Sequence, residues 1–283
     1  MNIEQFSDYK QFIPLWFAED IGNGDHTTLC SIPEHAEGKA QLLIKDVGIL
    51  AGVEVAREIF MTFDSALQMT VYKHDGESVQ YGDIAFAVEG RVRSLLQTER
   101  LVLNIMQRMS GIATRTHKYV AQLAGTKTRV LDTRKTTPGL RLLEKEAVRI
   151  GGGTNHRIGL FDMILLKDNH IDFAGGIANA IQGAQKYLKE KGLNMKIEIE
   201  VRNLDELQQA LDTGGVDRIM LDNFTPELTA KAVEIINGRY ETESSGGITL
   251  ETLRQYAECG VNYISVGALT HSVKSLDMSF KAV

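Results

Sequence analysis

The chain has 283 residues, 43% of them apolar and 24% charged, with 31 Lys and Arg against 37 Asp and Glu. These proportions describe a globular chain of one large domain or two, and a net charge of −6 speaks against a nucleic-acid or membrane surface. Two cysteines, Cys30 and Cys259, are far apart in sequence with no CxxC pair, which excludes a disulfide scaffold and a zinc spacing and fits a reducing cytoplasm.

The opening run Met1-Asn2-Ile3-Glu4-Gln5-Phe6 has neither a basic stretch nor an apolar core, so no export signal is expected. No apolar run approaches the length of a membrane span. Residues 12–18 read as a short apolar turn, ended by the polar loop 19–25. Residues 39–45, 71–73, 84–88 and 92–96 are strand-like and separated by glycine turns, and residues 98–109 follow as a helix. Short strands before a helix imply a small α+β domain.

From about residue 128 the rhythm changes. Strands are expected at 129–131, 163–166, 196–201, 218–221, 240–243 and 262–266, with helices at 176–189, 205–211, 226–236 and 250–259. That alternation predicts a parallel sheet. Each strand ends in a polar residue or glycine: Asp132 to Lys135, Lys167, Glu200, Asp222, Ser245-Gly246-Gly247 and Gly267. A barrel gathers all six ends around one mouth, whereas an open sheet uses mainly those at its switch point, so a barrel is expected. In the strand 196–201, alternation turns Ile197, Ile199 and Val201 toward helices and Glu198 and Glu200 inward, with Glu200 nearer the mouth.

Residues 132–170 concentrate the chemistry, with seven Lys or Arg against five acids in an acidic chain. Cations among glycines point to a pocket for a small polyanion. Arg134-Lys135 alone would read as a solvated pair, but the turn Thr136-Thr137-Pro138-Gly139 and the neighbouring Arg157 and Lys167 favour a substrate site. Gly151-Gly152-Gly153 fits neither a Walker loop nor a dinucleotide fingerprint. It is either a flexible turn or a close backbone approach that presents His156 and Arg157 to a ligand. Glu200 and Asp222 are either ion-pair partners of the lysines or oxygen ligands for Mg²⁺ or a ribose diol. Ser245, Gly246, Gly247 and Gly267 end the last two strands, where barrels commonly hold a phosphate. His26, with no second ligand beside it, is read as structural.

Several runs resemble the quinolinate phosphoribosyltransferase family. They are the loop 19–25, the stretch 99–114, DTRKTTPGLR (132–141), GGGTNHRIGL (151–160), KDNHI (167–171), EIEV (198–201), IMLDNF (219–224), ESSGGI (243–248) and ISVGALTHS (264–272). The resemblance implies an N-terminal α/β sandwich over residues 1–110, joined by the tail 273–283, and an incomplete, seven-stranded α/β barrel over 111–272. It implies substrate contacts at Arg100, Arg134, Lys135, His156, Arg157 and Lys167, and places Glu200 and Asp222 near ribose and Mg²⁺. Phosphate contacts follow at Ser245, Gly246, Gly247 and Gly267, and Lys135, Lys167, Glu200 and Asp222 are the implied catalytic group. The implied substrates are quinolinate and phosphoribosyl pyrophosphate with Mg²⁺ and no organic cofactor, in a homodimer, sometimes assembled to a hexamer, with Arg100 reaching the partner's site. One departure is Glu146, where the family pattern has Tyr after Lys145; an acid beside a basic pocket would alter its charge. A same-fold relative associated with molybdenum transport and a non-catalytic anion-binding module are the rival readings. The retained cations argue against the first, and Glu200 and Asp222, acids in an anion pocket, against the second.

Overall fold

The computed structural model describes residues 8–283, so the opening hexapeptide read above for an export signal lies outside the described residues. In chain order the strands are β1 (Glu37–Ile44), β2 (Gly48–Ile49), β3 (Gln68–Val71), β4 (Ser78–Val79), β5 (Ile84–Arg91), β6 (Arg129–Leu131), β7 (Ile164–Leu166), β8 (Ile197–Val201), β9 (Arg218–Asp222), β10 (Glu241–Ser245), β11 (Tyr263–Ser265) and β12 (Met278–Ala282). They fall into two compact units. One comprises residues 8–117, Thr136–Gly152 and Leu269–Val283; the other comprises Lys118–Lys135 and Gly153–Ala268.

In the first unit an antiparallel sheet runs β12-β1-β5-β3, beside a small β2-β4 ladder. Alternation in β1 buries Ala40, Leu42 and Ile44. The helix Val53–Phe63 starts behind Gly52, whose φ of 101° suits glycine, and buries Val53, Val55, Ala56, Ile59 and Phe60. Phe60 meets Phe86 of β5 edge to face at 6.0 Å and Phe280 of β12 at 6.2 Å, so one aromatic joins three elements. Residues 92–96 are the first turn of the helix Val92–Gln122 rather than a strand. Leu95, Thr98, Val102, Met106, Met109 and Ala113 are spaced three or four apart and all buried, and that packing overrides the β preference of Val92. The apolar turn at 12–18 is likewise part of a helix, Ile13–Ile21. Arg108 and the buried Glu144, 2.6 Å apart, fix the turn after Lys135: Arg108 Nη2 donates to Thr137 Oγ1, and the Thr137 N–H donates to Glu144.

The second unit holds a parallel sheet in the order β6-β11-β10-β9-β8-β7. A single parallel bridge from Thr154 to Leu131 of β6 occupies the seventh place. Helices follow the strands, among them Ile177–Lys191, Leu204–Thr213 and Pro226–Ile236. All five residues of β8 are buried, with Ile197, Ile199 and Val201 on one face and Glu198 and Glu200 on the other, as its alternation requires. No helix among the described residues is long and apolar enough to cross a membrane.

The glycine run 151–153 resolves into separate jobs. Gly151 ends the helix Arg141–Ile150, and a Cβ there would lie 2.4 Å from the Ala113 carbonyl oxygen and 3.0 Å from its Cα. Gly152 turns the chain at a φ of 89°. The close approach is therefore to a neighbouring helix backbone. Gly151→Ala is expected to cost roughly 1–3 kcal/mol, the usual price of overpacking against atoms that cannot move aside. Urea denaturation checks this; an unchanged midpoint would mean that the helix relaxes freely.

Candidate active site

At the C-terminal ends of the barrel strands lies a cavity of about 300 Å³ lined by Thr133, Arg134, Lys135, His156, Arg157, Leu165, Lys167, Met220, Glu243, Ser245 and Ser265. Five cations or potential cations from three separate sequence runs thus meet at one place. Arg134 and Lys135 leave the end of β6, Arg157 follows the Thr154 bridge, and Lys167 follows β7. Leu165 and Met220 add an apolar patch to the lining.

Arg134 and Arg157 are the informative pair. Burial lowers the pKa of Arg157, and the charge of Arg134 lowers it further, which places the two guanidiniums within electrostatic reach of each other. Neither forms an ion pair among the described residues, and the buried Arg134 Nε has no hydrogen-bond partner there. Arg157 Nη1 donates to the Met163 carbonyl at 3.1 Å, which holds the fork in place. Two adjacent guanidiniums without a carboxylate are poised for an anion with more than one acceptor group.

The dipeptide His156-Arg157 is pinned along its backbone. The His156 N–H donates to the buried Asp132 Oδ1 at 2.8 Å, and the Arg157 N–H donates to His156 Nδ1 at 2.7 Å. On the other side of the ring, Nε2 lies 3.0 Å from Glu198 Oε2 and 3.4 Å from Glu243 Oε2. Both carboxylates have 0% exposure, and Arg218 Nη1 approaches them at 3.9 and 3.1 Å. Arg218 itself lies 4.1 Å from the Tyr263 ring centroid and reaches Glu241 at 3.3 Å. Burial disfavours charge on His156, but the hydrogen bonds and attraction of Glu198 and Glu243 outweigh it and hold the pKa at about 9. Burial, then the charge of Glu243, pushes Glu198 up to about 7. Burial would also raise Glu243, but its contacts with His156, Ser265 and Arg218 keep it below the usual carboxylate range.

These values make the ring a cation, yet the contact with the Arg157 amide requires a bare Nδ1. The 2.7 Å contact decides the ring: the proton is on Nε2, and the further proton that neutralises Glu198, Glu243 and Arg218 as a group belongs on Glu198. The trio His156, Glu198 and Glu243 has the spacing of a metal site, but its chemistry does not fit one. A metal would need the lone pair of Nε2 while Nδ1 is already accepting, and Arg218 already supplies the positive charge.

Glu200 is buried beside Lys167, whose Nζ lies 3.4 Å from its Oε2. Burial raises Glu200, Lys167 lowers it, and Asp222 raises it again, so two carboxylates share this corner. Two oxygen-donor acids at the ends of adjacent strands fit a hard divalent cation or a ribose diol. After β10 the chain turns through Gly246 and Gly247, with φ of 95° and 61°. A Cβ on Gly246 would sit 2.2 Å from Asn223 Oδ1 and 2.9 Å from its main-chain nitrogen, so this glycine serves the approach of the loop after β9. Gly247 has nothing within 4 Å and is open. Gly267 follows β11 and precedes the one-turn helix Ala268–His271.

The cavity therefore brings together Arg134, Lys135, His156, Arg157, Lys167 and Ser245. Glu200 pairs with Lys167, while Asp222, Gly246, Gly247 and Gly267 lie at or just beyond the same strand ends. Arg100 belongs to the first unit, exposed on the helix Val92–Gln122. Glu146 is not part of the lining; it pairs with Arg149 on the helix surface at 2.5 Å. Sequence reading missed Glu243, Arg218 and Asp132. A signal was available for the first two, because Glu241-Thr242-Glu243 repeats the acidic alternation of β8, and Arg218 is registered between Glu198 and Glu241.

Fold and site define an α/β-barrel protein with a cationic pocket at its strand ends. The profile for the quinolinate phosphoribosyl transferase C-terminal domain matches residues 112–281, and that for the N-terminal domain matches residues 25–110. The chain belongs to this family. It is 47% identical over 289 aligned positions to a chloroplastic carboxylating nicotinate-nucleotide pyrophosphorylase of Arabidopsis thaliana, covering 97% of this chain and 82% of the relative. The solved structure of the nicotinate-nucleotide pyrophosphorylase from Francisella tularensis superposes with a TM-score of 0.89 at 41% identity, covering 97% of this chain and 96% of that one. The Ehrlichia chaffeensis structure gives 0.91 at 35% identity, covering 98% and 99%.

The buried proton sets a pH dependence. Glu198, which carries it, has a folded pKa above its unfolded one, so the folded state holds the proton more tightly. The sign follows: this stability is complete at low pH and is lost as pH rises, with the Glu198 window running from 4.5 to about 7. Urea midpoints are expected to fall across that window, and to fall less in Glu243→Gln, where one buried negative charge is gone. A flat wild-type profile would show that the group holds no extra proton.

Proposed function

We propose that the chain transfers the phosphoribosyl group of phosphoribosyl pyrophosphate to quinolinate with decarboxylation, giving nicotinate mononucleotide, pyrophosphate and CO2 in NAD biosynthesis. The observation that carries this is the Arg134–Arg157 pair without a carboxylate partner, beside Lys135 and Lys167. Quinolinate is a flat ring with two adjacent carboxylates, and two guanidinium forks with an apolar patch at Leu165 and Met220 match it in charge and shape. The relatives' names point to the same reaction. In this reading residues 111–272 carry the catalytic barrel, and residues 1–110 with the tail 273–283 form the second domain.

The reaction makes modest demands on the protein. The pyridine nitrogen attacks C1 of the ribose as the C1–O bond to pyrophosphate breaks, through a transition state with oxocarbenium character. Holding the two substrates in line supplies much of the acceleration. Lys135 and Lys167 neutralise negative charge that develops on the leaving pyrophosphate. Glu200 and Asp222 hold the ribose hydroxyls and the Mg²⁺ that arrives with phosphoribosyl pyrophosphate; the metal would shield the pyrophosphate charge. Ser245, Gly246, Gly247 and Gly267 receive the 5′-phosphate through main-chain N–H groups and a hydroxyl. The product pyridinium then withdraws electrons from the C2–carboxylate bond. CO2 leaves, the bonding pair stays on C2, and a proton replaces it, so no organic cofactor is needed. His156, whose Nδ1 accepts from the Arg157 N–H and whose Nε2 faces Glu198, orients Arg157 instead of donating that proton. The two lone cysteines are consistent with a cytoplasmic setting.

The direct test is to incubate the protein with quinolinate, phosphoribosyl pyrophosphate and Mg²⁺ and look for nicotinate mononucleotide and CO2. Arg157→Ala is expected to weaken quinolinate binding by about 2–5 kcal/mol, the range for removing one partner of a desolvated charge pair. Arg157→Lys should recover part of this, because it restores charge but not the fork. Unchanged quinolinate affinity by calorimetry in Arg157→Ala would remove the assignment.

The active form in this reading is a homodimer, able to assemble further to a hexamer, in which Arg100 enters the partner's site. Arg100→Ala and Lys135→Ala, each inactive, would be dissociated together and allowed to re-form dimers. Random mixing is expected to restore about a quarter of the activity, since half the dimers are mixed and each has one intact site. No recovery, with subunit exchange confirmed by mass, would place Arg100 in its own chain's site.

A further inference from the structure

Glu198 and Arg218 are absent from the cavity lining, and the strand ends could carry their cations without them. Yet the buried core of the barrel, usually filled by branched aliphatic side chains, here holds two glutamates, an arginine and a histidine edge. Such a group is costly to bury and requires an account beyond packing.

The contacts form a chain that leads to the pocket. Tyr263 stacks on Arg218, and Arg218 reaches Glu243 and Glu198. Those two carboxylates face His156 Nε2, and the opposite nitrogen accepts the Arg157 main-chain N–H. Asp132 takes the preceding N–H from the other side. A histidine ring can accept at Nδ1 only if its proton is on Nε2, and the negative charge of the carboxylates, 3.0 and 3.4 Å from Nε2, favours that arrangement. Without them the Arg157 N–H contact alone selects the Nε2–H form, and the Nδ1–H form would set one N–H against another at that amide.

We propose that Glu198, Glu243 and Arg218 are positioning residues of the anion pocket: they fix the tautomer of His156, and through its Nδ1 they hold the Arg157 backbone, and so its guanidinium, against the substrate carboxylates. The inference rests on the reading of this pocket as the quinolinate site. It goes beyond that reading in assigning specificity for one substrate to a group of which two members, Glu198 and Arg218, lie behind the pocket lining. Arg157 serves the ring carboxylates, so disturbing the brace weakens quinolinate and leaves phosphoribosyl pyrophosphate, held at Glu200, Asp222 and the loops after β10 and β11, unaffected.

Two near-isosteric changes, Glu198→Gln and Glu243→Gln, test this in the full-length protein. Each is expected to raise the KM for quinolinate by about tenfold, the scale on which outer partners of a site histidine usually act, while the KM for phosphoribosyl pyrophosphate stays unchanged. In wild type, ¹⁵N NMR of the His156 ring should show a bare Nδ1 and a protonated Nε2, and each variant should show mixed tautomers. Absence of turnover in wild type would count against the function; the ring spectrum and the ratio of variant to wild-type quinolinate affinity count separately for or against the brace. An unchanged quinolinate affinity in folded variants overturns it. So does an equal rise in both KM values, which would make these residues merely structural. If neither glutamine variant folds, Arg218→Lys, which keeps the charge but loses the fork, should show the same split in milder form, and a protonated Nδ1 in wild type would overturn the proposal outright.

Discussion

Carboxylates inside a barrel repel one another and lose their water, and the way this chain neutralises them determines much of the rest. Glu198 and Glu243 are fully buried, Glu200 nearly so, and all three face the interior of the parallel sheet. Arg218 and the His156 edge meet the first two, and Lys167 meets the third. Removing one partner from such a set leaves an uncompensated buried charge, which is far more costly than never having built the set. The acids therefore dictate where three basic side chains stand, and two of those, His156 and Lys167, are cavity-lining residues.

This layering makes an anion pocket possible above an acidic floor. With the lower charges largely balanced among themselves, the field at the mouth is shaped by the neighbouring guanidiniums of Arg134 and Arg157. Burial and mutual repulsion already strain Arg157, as its lowered pKa records. A dianion relieves that repulsion, so part of its binding energy is stored in the empty pocket as unfavourable like-charge proximity. In the same layout the charged side chains converging on the pocket are suited to orienting charge.

Much of this was legible in the sequence, for identifiable reasons. Strand order of chemistry was visible because each apolar run ends in a polar residue, and the alternation Ile197-Glu198-Ile199-Glu200-Val201 revealed which acids turn inward. Residues 92–96 misread as a strand because Val92 is β-branched, whereas the deciding fact is a helical row of buried positions continuing to Ala113. The glycines at 151–153 suggested ligand approach, but the backbone that comes close to Gly151 is that of Ala113, a packing relation that no local pattern encodes. Arg218 was invisible for a related reason: its significance depends on the register that places it beside Glu198 on one side and Glu241 on the other.

The pairing of β12 with β1 carries a consequence for how the chain is made. Ala40 pairs with Ala282 and Ile44 with Met278, contacts between residues almost a whole chain apart. A polypeptide emerging from the ribosome presents β1 long before its partner exists, and in that interval β1 can bind only β5, leaving its other edge open. The loop that must close is among the longest available to the chain, so this step is entropically slow and comes late. The barrel unit, whose segments lie between residues 118 and 268, can complete its own sheet before that. The nascent enzyme is thus most exposed to misassembly at the sheet of its first unit, where an unpaired edge persists until the last strand is released.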